Sequence, residues 1–336
     1  MSHDGDHPGS RYGPPARTPT PAGVTASAPP EATTDLAGLL AEGERAAFHG
    51  RPADAVAVLQ RAVGLARDAQ ATNELTRAAW LLGVALGAAG RYGPASTVLR
   101  PLSAGRGQQG RARLLASPAA STWASHHRQV GLHAEAAAHD ARALELAGDD
   151  DARFDALLGL AADAVGQGDR GAAAERLAEA EAVAEARRGE RWRPSVRLDW
   201  VRAEVALLDE RADDAADAAQ DAVDVAEEAH APRHVAKSLL FRGVAEQSGG
   251  DVDAAAETLE QAATLAESLG ALPLVWPARA VLGVQLAGRG DAGAAEQLRL
   301  AAAAVDEIGR HLPAGWVDGW AAREDLVALR AAAAAA

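Results

Sequence analysis

Along most of the chain apolar residues recur three and four positions apart, the spacing that paints one stripe on an α-helix, and no stretch alternates apolar with polar as a strand would. The helical stretches come in pairs joined by short turns at Gly50-Arg51-Pro52, Gly90-Arg91-Tyr92-Gly93-Pro94, Gly131-Leu132-His133, Gly168-Asp169, Glu210-Arg211, Gly250-Asp251 and Gly290-Asp291. Glycine suits the left-handed residue that ends a helix, and an aspartate after it caps the next. Pro52 fits a first helical position, where its missing N–H is not needed. The pairs themselves repeat. Ala55, Ala95, Ala136, Ala173, Ala215, Ala255 and Ala295 follow one another at steps of 40, 41, 37, 42, 40 and 40 residues. Twelve residues earlier stand Gly43, Gly83, Ala124, Ala161, Ala203, Gly243 and Gly283; seven later stand Ala62, Leu102, Ala143, Ala180, Ala222, Ala262 and Ala302. Small residues held in register at this period mark stacked helical hairpins, each touching only its neighbours.

The expected fold is therefore all-α, a superhelical solenoid of about seven antiparallel hairpins over 35–70, 73–102, 111–147, 151–187, 194–229, 232–269 and 273–309, in one elongated domain spanning 35–330. Trp316, Trp320, Leu326 and Leu329 continue one more amphipathic helix, a cap over 314–330, because a terminal repeat must cover its last apolar face. Residues 1–34, rich in proline with almost nothing to bury, read as a disordered arm, and 331–336 as an alanine tail. Pro101 is expected to stop its helix and 103–110 to form a loop or hinge, with Ser117-Pro118 as N-cap and first-turn proline of the next helix.

Ala79-Trp80-Leu81-Leu82-Gly83, followed by Gly90, Tyr92, Ala95 and Leu99, resembles the tetratricopeptide repeat family. The resemblance implies a right-handed superhelix, with the two small-residue columns marking where paired helices cross closely. The family's aromatic positions are mostly Ala or Leu here, no proline closes each unit, and the period is near 40 in place of 34, as in long-period repeats of bacterial regulators. Hairpins three and five match least, with Asp140 and Ala219 where Leu59, Leu99, Leu177 and Leu259 stand elsewhere.

Composition narrows the function. A formal charge of −14 disfavours phosphate backbones and anionic membranes as partners. The absence of cysteine removes disulfides, thiolate catalysis and thiolate-held metals. No leader-like start and no long apolar run is present, so a cytoplasmic location is expected. The sole lysine, Lys237, does not follow a glycine-rich phosphate loop, and no nucleophile elbow, metalloprotease helix or dinucleotide fingerprint occurs. The densest group of metal-ligand types, His126, His127, His133, His139 and Asp140, straddles a helix end, a turn and the next helix, and reads as surface and turn histidines. Neither catalytic residues nor a metal or cofactor is expected.

The resemblance also implies that first helices line a concave groove, which would then hold Arg77, Trp80, Arg128, Arg197, Trp200, Glu204, Lys237 and Gln247, while the second helices are heavily acidic. Arg77 with Trp80 and Arg197 with Trp200 repeat an i, i+3 pair of residue types common at binding hot spots. Trp80 and Trp200 read equally as inter-repeat core covered by the arginine stems. The functional expectation is a noncatalytic scaffold or regulatory adaptor that holds a partner protein or an acidic peptide by arginine–carboxylate pairs. The alternative is a regulator whose superhelix changes shape on binding a small molecule or signalling peptide. Self-association through an apolar patch of Trp192, Trp276, Trp316 and Trp320 at the C-terminal end is a third expectation.

Overall fold

In a computed structural model that describes residues 35–105, 111–186 and 191–335, seven helical hairpins follow one another and no strand occurs among the described residues. They are α1 (Leu36–His49) with α2 (Pro52–Asp68), α3 (Thr72–Ala88) with α4 (Tyr92–Ser103), a short α5 (Arg111–Leu114) leading to α6 (Ala116–Gln129) with α7 (His133–Leu146), α8 (Asp150–Gly166) with α9 (Arg170–Ala186), α10 (Trp192–Leu208) with α11 (Ala212–Glu228), α12 (Pro232–Gly249) with α13 (Val252–Leu269), and α14 (Leu272–Gly288) with α15 (Ala294–Arg310). A 3-10 turn (Ala314–Trp316), α16 (Val317–Ala322) and α17 (Glu324–Ala335) complete the chain. The expected arm over 1–34 and most of the expected hinge at 103–110 lie outside the described residues.

The small columns exist because leucines of the second helices press into them. A β-carbon on Gly43 would sit 2.5 Å from Leu59, on Gly83 2.5 Å from Leu99, on Gly243 2.7 Å from Leu259 and on Gly283 2.8 Å from Leu298, too close for any side chain. Hairpin five solves the same packing with alanine on alanine, Ala203 and Ala206 against Ala215 and Ala219. Five of the turns follow their expected chemistry, with Gly90, Gly131, Gly168, Gly250 and Gly290 all at φ between 69° and 89°, whereas Gly50 ends its helix in an extended conformation at φ −127°. Asp169 and Asp251 accept hydrogen bonds from the backbone N–H of Ala172 and Ala254.

Four local expectations are corrected. Pro101 lies inside α4, which runs on to Ser103. Ser117 is not an N-cap; it sits one residue inside α6, fully buried, and its hydroxyl donates to the Ala143 carbonyl at 2.8 Å, tying α6 to α7. The cap is a 3-10 turn and two helices bent at Arg323 in place of one helix, and the alanine tail continues α17 to Ala335.

The larger correction concerns shape. The array is not an open, elongated stack, because its ends fold back onto its middle. His49 and Phe48 at the end of α1 meet hairpins five and six: the His49 ring lies 5.2 Å from Trp192, and the Arg193 guanidinium lies 4.9 Å over Phe48. The C-terminal elements meet hairpins two and three. The Gly93 N–H donates to the His311 carbonyl at 2.6 Å, Trp316 stacks on Trp123 at 4.9 Å, and Tyr92 and Val130 share one apolar cluster with Val305, Ile308, Trp320, Leu326 and Leu329. Burial of those aromatic rings favours the closed arrangement over leaving two apolar ends in water. Trp320 is buried and Trp192, Trp276 and Trp316 are partly buried against other elements, with Trp192 in a cluster apart from Trp276 and Trp320, so the four do not form one C-terminal patch.

Candidate functional site

Closure turns the expected groove into a cavity of about 410 Å³. Its walls come almost entirely from first helices: α3, α6, α8, α10 and α12, with Phe48 of α1 and Pro273 and Leu274 of α14 at the margins. Of the residues expected in a groove, Trp80, Arg128, Arg197, Trp200, Glu204 and Lys237 line it together. Arg77 does not; it pairs with Glu44 across exposed faces of α3 and α1. Gln247, near the end of α12, also lies outside the lining.

Trp80 and Trp200 turn out to serve both readings left open by the sequence. Each indole N–H donates one repeat ahead, Trp80 to the Thr122 hydroxyl at 3.1 Å and Trp200 to the Ser238 hydroxyl at 2.8 Å, so each ring staples adjacent first helices while one face borders the cavity. The Lys237 ammonium lies 4.2 Å above the Trp200 ring. The expected Arg197–indole pairing is replaced by an ion pair between Arg197 and Asp155.

Arg128 anchors one wall. Its guanidinium donates to Asp140 at 2.5 Å, to Asp163 at 2.8 Å and to the Gly159 carbonyl at 3.2 Å, joining α6, α7 and α8. This explains the missing leucine in hairpin three: Asp140, with no exposed surface, occupies that column to hold an arginine. Burial raises the pKa of Asp140 and lifts Asp163 to about 7; burial works against the charge of Arg128 too, but the two carboxylates outweigh it and leave that charge more firmly held than usual.

Another part of the wall carries two arginines beyond the expected groove positions. Arg193 and Arg233 stand with Arg197 and Lys237 on α10 and α12. Their signal was in the repeat itself, since Arg233 and Lys237 each follow their counterparts on α10 by 40 residues. Burial lowers Arg193 and Arg233 to about 10 and Lys237 to about 8, so all remain largely cationic at neutral pH. Arg233 makes no ion pair with a described residue, and its Nε is buried without a hydrogen-bond partner. Five cations and two carboxylates, Asp155 and Glu204, therefore line a cavity within a chain of charge −14.

The histidines divide. His126 and His133 border the cavity, whereas His127 and His139 pack beside Trp123, with His127 also against Trp316. Among the described residues no three His, Asp or Glu side chains are arranged to hold a metal ion. Burial pushes His126 down to about 3 and His127 to about 4. A histidine kept neutral in the folded state contributes stability that is present above pH 6.5 and lost as the pH falls toward those values. In thermal denaturation, His126→Gln should therefore flatten the acid limb between pH 6.5 and 4 by about 1 kcal/mol per pH unit relative to the wild type. An unchanged slope would mean that His126 is protonated in the folded state.

No described helix is long and apolar enough to cross a membrane. No family model matches the chain, and no curated protein does. Among solved structures it is similar to a Rap protein complexed with competence and sporulation factor, with a TM-score of 0.57 and 15% identity over 88% of this chain and 80% of that one. Weaker similarities are to the apo form of RapI (TM-score 0.45, 10% identity, 81% of this chain and 77% of that one) and to aspartyl phosphate phosphatase F from Bacillus subtilis (TM-score 0.43, 11% identity, 91% and 80%). The first supports the helical-repeat fold.

Proposed function

We propose that this chain is a noncatalytic regulatory adaptor of the tetratricopeptide type, which holds a peptide or protein segment of acidic character in its central cavity. The observation that carries this reading is the concentration of Arg193, Arg197, Arg233 and Lys237 against Asp155 and Glu204 beside the Trp200 indole, in a protein whose net charge is −14. Arginine forks and aromatic faces bind carboxylates and apolar side chains side by side. The similar Rap structure is itself a complex with a factor, which agrees with ligand binding on this fold.

A shape-changing regulator is the second reading, and it rests on a specific observation: both ends of the array touch its middle around the cavity, so the shape of the cavity is tied to contacts that are few and local. A ligand that favours the closed form would shift the protein toward it in proportion to its differential affinity for the two forms.

Affinity capture tests the first reading. Proteins retained by the full chain from its native lysate are compared with those retained by Arg197→Glu, inside the cavity, and by Arg77→Glu, outside it. A partner kept by the wild type and Arg77→Glu but lost by a folded Arg197→Glu supports cavity binding. A partner kept by all three refutes it.

A further inference from the structure

Four cations converge on one stretch of the cavity wall. Arg193 and Arg197 are four residues apart on α10, and Arg233 and Lys237 are four apart on the adjacent α12, so each pair shares one helical face. Like charges at that spacing destabilise a helix. Arg193 and Arg233 also lie in first turns, at the positive end of the helix dipole, where a cation is disfavoured and an anion favoured. Counter-charge within the wall is thin. Arg197 takes Asp155, Arg193 reaches the same carboxylate only at 4.0 Å, and Glu204 is the other acid facing the cavity. Arg233 and Lys237 have no ion-pair partner within 4 Å among the described residues, and the four cations together keep the buried His234 beside them neutral once burial has lowered its pKa. Four cations against two acids leave a surplus of two positive charges in one place.

We propose that Arg193, Arg197, Arg233 and Lys237 form an oxyanion subsite that takes a phosphoryl group, a compact dianion, on the ligand of this cavity; the proposal rests on the cavity being the ligand site. A phosphoryl group puts both negative charges on one centre and offers several acceptor oxygens to arginine forks arriving from two helices. Carboxylates on successive residues of an extended peptide point to opposite sides and would reach only one helix pair at a time. Phe48 and Trp200 border the same wall and would cover the apolar carrier of the phosphoryl group.

Calorimetric titration of the full chain at fixed ionic strength tests it with three probes: phenyl phosphate, a phosphoserine hexapeptide, and the same hexapeptide with aspartate at that position. Saturable one-to-one binding of the phosphorylated probes is expected, at least tenfold weaker for the aspartate peptide and at least tenfold weaker in Arg233→Gln/Lys237→Gln. Tighter binding of the phosphopeptide than of phenyl phosphate would place the phosphoryl group on a peptide, and the reverse on a small molecule; both support the subsite. No saturable binding of either phosphorylated probe, equal binding of the aspartate peptide, or unchanged affinity in the double variant overturns it. A second readout needs no ligand. Arg233→Gln alone should raise the unfolding midpoint by relieving an unpaired cation, whereas an arginine kept for structure would lower it. If capture finds a cavity partner while the phosphorylated probes fail, the adaptor reading stands and the phosphoryl subsite falls; if both probes and partner fail, the cavity itself is not the site.

Discussion

Arg128→Ala should cost about 3–5 kcal/mol, the penalty for leaving buried carboxylates without their counter-ion. Asp140 has no exposed surface and Asp163 almost none, and both address the same guanidinium nitrogen. The other oxygen of each carboxylate, Oδ1 of Asp140 and Oδ2 of Asp163, is buried without a hydrogen-bond partner. In a chain of this size the loss corresponds to a fall in thermal midpoint on the order of 10 °C. The deficit should widen as the pH is raised above 7, where the folded wild type gains a charged Asp163 held by Arg128 and the variant does not. Without Arg128 both carboxyls titrate at still higher pH in the folded protein than in the unfolded chain, so their contribution is fully present in acid and lost as the pH rises through the folded-state value. Replacing the triad by Arg128→Met, Asp140→Leu and Asp163→Leu together should recover most of the stability, because well-packed apolar groups commonly do as well as a buried ion network. Thermal melts followed by circular dichroism at several pH values check all three expectations. A loss below about 1 kcal/mol for Arg128→Ala would show that water reaches the carboxylates and that the triad is not dry.

Trp316→Ala should open the closed solenoid without unfolding it. The indole stacks on Trp123 at 4.9 Å, meets His127 at 4.5 Å and lies 6.2 Å from Tyr92, so one side chain joins the C-terminal turn to hairpins two and three. It is only partly buried, and its removal should cost about 2–3 kcal/mol, below the value for a fully buried tryptophan. In a repeat array each hairpin is held chiefly by its neighbours, so this loss falls on the closing contact and leaves helix content unchanged. The expected signature is a larger radius of gyration in small-angle scattering, with faster amide exchange in α16 and α17 and unaltered protection in α8 to α13. Ligand affinity should fall with closure, since the cavity walls are brought together by the same contact. An unchanged radius of gyration would show that the hydrogen bond from Gly93 to His311 and the Trp320 cluster suffice to hold the ring shut.

How far the site was legible differs from residue to residue. That Arg128, Arg197 and Lys237 line the cavity is legible because they fall on first helices, and the repeat period fixes which helices those are. Arg193 and Arg233 lie one period apart on the same kind of helix, but no tryptophan follows either of them at i+3 to single it out. Arg77 makes such a pair with Trp80 but lies outside the cavity, beside Glu44 of hairpin one on the surface. Asp140 stands out as a break in the leucine column, but its purpose needs the tertiary structure: its partner Arg128 sits 12 residues back, and Asp163, the carboxylate that shares that arginine, sits 23 ahead, on two other helices.

The sequence by itself determined the local level: all-helical secondary structure, the hairpin period, the turns with left-handed glycines, and the small-residue columns into which second-helix leucines press. Those features depend on residues within one hairpin, so a period and a helical stripe are enough to place them. Only the tertiary structure decided that the ends close on the middle, that Trp316 belongs to hairpins two and three as much as to a cap, and that cations from several repeats share one cavity. Closure depends on the small rotation between successive hairpins summed over the whole array, and no column of a single repeat encodes that sum.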